Sequence, residues 1–179
     1  MKGIFWKEGE SFSNSMSLIA FLLVRYPEIG SIRFDPTKKT LQFTFVLLKF
    51  LSDEELKQFE EKLLLSLNSI SVLQERELGK IELQCTVEEG GLSFLEITRD
   101  IGSLTQDEIA LMIGLIQQFF EGMILLDQDD TVQEEEMALQ EEMIEHMLED
   151  LKDSRQEKRL IGFREEGRVM IFNRANLPK

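Results

Sequence analysis

Ile32-Arg33-Phe34-Asp35-Pro36-Thr37-Lys38-Lys39-Thr40-Leu41-Gln42-Phe43-Thr44-Phe45, with Ser52-Asp53-Glu54-Glu55 soon after it, is the stretch on which the fold turns. Ile32 and Phe34 alternate with polar residues, as do Leu41, Phe43 and Phe45. A period of two with a polar break at Asp35-Pro36 predicts a β-hairpin with one buried face. Ser52 and Glu55 have the S-x-x-E spacing of a capping box, in which each side chain satisfies a free backbone N–H of the other. Beyond it Leu56, Phe59, Leu63, Leu67 and Ile70 recur at helical spacing. The spacing predicts an amphipathic helix over 52–74.

The same order returns downstream. Ile81, Leu83, Cys85 and Val87 alternate with Glu82, Gln84, Thr86 and Glu88. Gly90-Gly91 turns the chain, and Leu92 to Thr98 brings it back with a slip in alternation at Phe94-Leu95 that suggests a β-bulge. Thr105-Gln106-Asp107-Glu108 reads as a second capping box, opening a helix through Ile109, Met112, Ile113, Ile116, Phe119, Phe120 and Met123. Residues 31–74 and 80–125 therefore both read hairpin, cap, helix, by duplication or by chance. Upstream, residues 13–26 form a helix that serines at 11, 13 and 15 can cap and that Pro27 stops.

Charge divides the rest of the chain. The 179 residues carry a net charge of −14, with a pI of about 4.6. Residues 127–153 hold 12 acidic residues and one Lys, whereas residues 154–179 hold 7 basic residues and 3 Glu. On the acidic segment Met137, Ile144, Met147, Leu148 and Leu151 form a narrow apolar stripe, which suits helix–helix contact. Leu160 to Phe172 reads as a hairpin turning at Glu166-Gly167, and an isolated hairpin is marginal in water, so it must dock on this chain or another. The expected fold is α+β: an antiparallel sheet from two hairpin-helix units with an N-terminal helix, plus a C-terminal acidic helix and β-hairpin arm. The expected division is a core over 1–126 and an appendage over 127–179.

The composition narrows the function classes. A strongly acidic chain is a poor general ligand for nucleic acid or anionic lipid. The apolar run Leu18 to Val24 is too short to span a bilayer, and the segment Ile109 to Leu126 is broken by Gln117, Gln118 and Glu121. The first residues reach acid before any long apolar run, unlike a secretory signal. One cysteine allows no internal disulfide and fits a reducing, cytoplasmic setting.

No catalytic or cofactor motif is legible, and no cofactor is expected. His146, the single histidine, follows Met143 where a helical di-metal site needs Glu, and reads as a surface residue. Cys85 reads as a structural thiol on a strand. Asp127-Gln128-Asp129-Asp130 hints at calcium, but Val132 and Ala138 stand where an EF-hand loop needs Gly and Glu. Neither a phosphate loop nor a dinucleotide fingerprint occurs. The basic tail, with Arg164, Arg168, Phe163 and Phe172, admits nucleic-acid contact. Pairing with the acidic helix of this chain or a neighbour is the preferred reading, because that helix would repel phosphate.

Gly79-Lys80-Ile81-Glu82-Leu83 and Leu104-Thr105-Gln106-Asp107-Glu108-Ile109 look like segments of the sensory-regulator branch of the type III secretion chaperone-like fold. The order helix, strands, helix, two strands, helix over residues 13–125 resembles that fold too. The likeness departs in having two strands, not three, after the first helix, and 127–179 has no counterpart. The resemblance implies a non-enzymatic bacterial homodimer that holds protein partners. Two functions are therefore carried forward. One is an interaction or assembly protein, a homodimer using Met137, Ile144, Met147, Leu148, Leu151, Phe163, Ile171 and Phe172 as contacts. The alternative is a small-ligand or divalent-cation module, with an enzyme among its forms, centred on the acids of 127–136.

Overall fold

The computed structural model describes residues 4–6, 14–126, 134–153 and 159–173. The chain runs β1 (Ile4–Trp6), α1 (Asn14–Arg25), β2 (Ser31–Asp35), β3 (Thr40–Leu47), α2 (Asp53–Leu73), β4 (Ile81–Val87), β5 (Ser93–Asp100), α3 (Gln106–Phe119), α4 (Glu134–Asp153), β6 (Leu160–Glu165) and β7 (Arg168–Asn173). This is the expected α+β class. One seven-stranded sheet has the order β1-β7-β6-β2-β3-β5-β4. Six strands are antiparallel to their neighbours, and the short β1 joins β7 in parallel at one edge. Alternation did not announce β1, because three residues are too few to show a period.

Local chemistry fixes the first hairpin-helix unit. Asp35 Oδ1 accepts from the N–H groups of Thr37 (2.9 Å) and Lys38 (3.2 Å), closing the β2–β3 turn. The Ser52 box forms in both directions: Ser52 Oγ accepts from Glu55 N–H at 3.2 Å, and Glu55 Oε1 accepts from Ser52 N–H at 3.4 Å. Lys49 pairs with the same carboxylate and is the main cause holding Glu55 below the usual carboxylate range.

The second unit differs from expectation in three places. The β5 ladder is unbroken against both β3 and β4, so Phe94-Leu95 is no bulge. Leu95 and Ile97 face the core, while Phe94 faces the other way and breaks the apolar alternation without breaking the register. Helix α3 stops at Phe119 rather than running through Met123. Gly122 then adopts φ 74°, a left-handed conformation that ends helices readily, and Ile124 forms an antiparallel bridge to Leu47. Finally, Thr105 Oγ1 accepts from Glu108 N–H at 3.2 Å, but the Glu108 carboxylate turns to Arg99 instead. Arg99 Nη1 and Glu108 Oε2 stand 2.5 Å apart with side chains 0% and 2% exposed. Their angle falls short of a directed hydrogen bond, while Arg99 Nη2 donates to Ser103 Oγ at 3.2 Å.

The helices lie on one face of the sheet. Helix α1 touches β2, β6 and β7 below it and α4 above it. That double cover explains why Met16, Leu18, Ile19, Leu22 and Leu23 are all fully buried. Gly162 permits the approach, since a Cβ there would run into Ile19 and Leu23. Arg164 reaches under the end of α1 and donates to the carbonyls of Leu23 (2.5 Å), Pro27 (2.8 Å) and Ile29. Ile144, Leu148 and Leu151 of α4 join the same hydrophobic cluster as the sheet. Two polar ties hold α4 as well: Glu141 pairs with Arg25 at 2.7 Å, and Glu145 Oε2 accepts from Gln106 N–H at 2.8 Å. Over the other half of the sheet, Phe59 of α2 meets Phe119 and Phe120 at ring-centroid distances of 5.5 and 5.3 Å.

The C-terminal hairpin docks on this same chain. β6 lies antiparallel to β2 with Phe34 opposite Leu160 and Ser31 opposite Phe163. The strands of segment 127–179 thus complete the sheet of segment 1–126, and one hydrophobic cluster spans both segments. Helix α1 touches both α4 and the hairpin.

Candidate interaction surface

With the helices on one face of the sheet, no described helix covers the other face. Register fixes which residues occupy it. Reading across from β7, the rows run Phe172-Ile161-Arg33-Gln42-Thr98-Glu82 and Met170-Phe163-Ser31-Thr44-Glu96-Gln84. The face therefore has an apolar end on the C-terminal hairpin and a polar remainder. Phe163 and Phe172 stack there with centroids 5.7 Å apart.

Between these ends lies an open trough of about 410 Å³. Gly30, Ser31, Arg33, Thr44, Val46 and Phe94 form much of its lining, and Thr86, Glu88 and Glu96 complete it. Arg33 Nε is buried and has no hydrogen-bond partner among the described residues. Such an N–H is costly to leave unmade, so this guanidinium stands ready for an acceptor. Phe94, the residue that disturbed the sequence pattern, is the apolar side chain of β5 that faces the trough.

At the Val46 end the surface turns apolar. Leu48 N–H donates to Met123 O at 2.6 Å and Leu125 N–H donates to Val46 O at 2.8 Å, tying the segment after α3 to the end of β3. Leu48, Phe50, Met123, Leu125 and Leu126 are 47%, 62%, 43%, 51% and 40% exposed there. Exposed apolar residues are ordinary one at a time, but a cluster of them marks an interaction surface. The sequence signal was the run Val46-Leu47-Leu48-Lys49-Phe50-Leu51, too apolar for one buried face.

The residues singled out from the sequence as partner contacts fall into three groups. Ile144, Leu148, Leu151 and Ile171 are buried inside the chain and have no surface to offer a partner. Met147, Phe163 and Phe172 keep part of their surface, the two phenylalanines on the bare sheet face. The Met137 side chain lies outside the described residues, as do the acids of 127–133 and the side chains of 134–136. Among the described residues no group of three His, Cys, Asp or Glu is placed to hold a metal ion. His146 is exposed on α4. Cys85 sits half-buried on β4, its thiol pushed up by burial against the opposing pull of a Ser93 hydrogen bond. No described helix is long and apolar enough to cross a membrane.

No protein-family model, curated protein or solved structure matches this chain.

Proposed function

We propose that this chain is a non-enzymatic interaction protein, a cytoplasmic homodimer that holds a protein partner in a chaperone-like way. The observation that carries the reading is the exposed apolar corner of Leu48, Phe50, Met123, Leu125 and Leu126, which adjoins the bare sheet face. A surface of this kind binds extended apolar segments, with the trough supplying Arg33, Glu88 and Glu96 for polar groups beside them. The net charge of −14 favours a partner that is basic overall. The order of elements over residues 13–125 resembles the type III secretion chaperone-like fold, which supports the same class. The single free thiol, Cys85, suits a reducing compartment.

The test is suppression of aggregation of a basic, reduction-unfolded client such as lysozyme. The protein should suppress it at near-equimolar ratio, and Leu48→Asp with Phe50→Asp should raise the required concentration about ten-fold or more, since each apolar anchor contributes roughly 1 kcal/mol or more to a docked partner. Both positions are exposed, so the variant keeps the fold. A wild-type protein without effect on the client, or a double variant equal to it, overturns the reading.

A further inference from the structure

The sheet has two edges, and they are unequal. β1 closes one edge with three residues. β4 leaves the other open over the seven residues Ile81 to Val87, which run without proline or bulge beside β5 alone among the described residues. Open edges are docking sites for further strands.

The ladder shows which groups are free. Asp100 N–H donates to Lys80 O, and Glu88 N–H donates to Leu92 O. Bonded pairs alternate in an antiparallel ladder, so the even-numbered residues of β4 are spent on β5. The N–H and C=O groups of Ile81, Leu83, Cys85 and Val87 therefore point outward along the free edge. Their side chains share the core face, where Ile81, Leu83 and Cys85 are half-buried and Val87 is 43% exposed.

We propose that β4 is the dimer edge: two copies of the chain pair β4 to β4 antiparallel, about a two-fold axis at Gln84, so that one sheet runs through both. The inference rests on the homodimer reading above and names the surface that forms it. Centring on Gln84 matches the strand to itself end to end. Ile81 then faces the partner's Val87, and Leu83 faces the partner's Cys85, so the half-exposed core face is covered by its like. The outward N–H and C=O groups meet in bonded pairs, giving about eight ladder hydrogen bonds.

Charge selects this register. On the open face Lys80 comes opposite the partner's Glu88 twice, Glu82 opposite the partner's Thr86 twice, and Gln84 opposite its own copy. Sliding by two residues one way sets Glu82 against the partner's Glu88 on both sides of the axis, and like charges directly opposite destabilise a pair of strands. Sliding two the other way loses both Lys80–Glu88 pairs. Sliding by one directs outward groups at residues already bonded to β5. Lys80 lies 3.3 Å from Glu82 within one chain, both well exposed, so its ammonium is already on the correct face.

The experiment is sedimentation equilibrium on the full chain and on four variants. The wild type should dimerise. Lys80→Glu and Glu88→Lys should each weaken the dimer on the order of ten-fold, by turning two attractions into two repulsions. The double variant Lys80→Glu/Glu88→Lys should recover most of that loss. Leu83→Pro should abolish the dimer while leaving the protomer folded, because its N–H faces outward and bonds nothing among the described residues. A dimer indifferent to Lys80→Glu and to Leu83→Pro overturns the β4 edge but leaves the homodimer reading intact. A wild-type monomer at every concentration overturns both. Single variants that weaken the dimer without rescue in the double variant overturn the Gln84 register.

Discussion

The two halves of the sheet are built by different means. Under α2 and α3, β4 and β5 are joined by a short turn, and β3 and β5 are each followed directly in the chain by one of the covering helices. This half has two layers and ends in a strand whose core-facing side chains are only half-buried. Under α1 and α4, strands β2, β6 and β7 come from opposite ends of the chain and carry a stack of two helices. That half has three layers and buries most of α1. The local half forms from neighbouring sequence and leaves surface open; the non-local half closes only when distant segments meet.

Breaking the charge pair inside the local half gives the largest expected effect. Arg99→Met leaves the Glu108 carboxylate buried without a partner and should destabilise by about 3–5 kcal/mol in denaturant unfolding. Arg99→Met with Glu108→Leu should recover most of that, since replacing a buried ion pair with apolar residues is close to neutral. A single variant as stable as wild type would show the pair to be dispensable.

The non-local half should fail at α4. Leu148 is fully buried there, and Leu148→Ala should cost about 2–5 kcal/mol through lost burial and cavity. Amide exchange should rise in α1, β6 and β7 and stay unchanged in α2 and β5 if the halves open separately. Uniform loss of protection would mean that the sheet unfolds as one unit. A smaller effect belongs to the Ser52 cap, where Ser52→Ala should cost about 1 kcal/mol, read as a lower midpoint with an unchanged denaturant slope.

The gentlest test uses Tyr26, the one tyrosine of the chain and a residue at the seam between the halves. Its hydroxyl accepts from Gln106 Nε2 at 2.6 Å, and the Arg25 guanidinium sits 4.6 Å from its ring centroid. Desolvation by burial raises its pKa to about 12 from the ordinary 10, against the lowering pull of Arg25. The fold thus favours the neutral phenol. Stability should be independent of this group below pH 10 and fall between pH 10 and about 12, where the unfolded chain ionises first. Phenolate absorbance reports this tyrosine alone, and a midpoint near 10 would show that the seam admits water.

Much of this contrast was legible in the residues. Alternation about Asp35-Pro36 and Gly90-Gly91, with the Ser52-Glu55 box, located the local half because its determinants lie within a few residues of one another. The stripe on α4 was legible as a helix contact, but nothing nearby in sequence says that its partner is α1 of the same chain. Strict alternation from Leu95 and Ile97 puts Arg99 on the buried face, and its partner Glu108 sits across a turn that reads as a cap. The apolar corner was hidden because Leu48 and Leu125 become neighbours only after Gly122 turns the chain. On the candidate surface the individual residues were in view, while the register that lines them up depends on pairings up to about a hundred and thirty positions apart.

The pairing of Phe34 with Leu160 carries a consequence for synthesis. As the chain leaves the ribosome, β2 is made well before its final neighbour β6. Until β6 is made the nascent protein therefore shows a raw strand margin beside an uncovered greasy helix. The highly charged segment that precedes β6 emerges into that interval, where it would keep unfinished chains apart until the closing hairpin arrives.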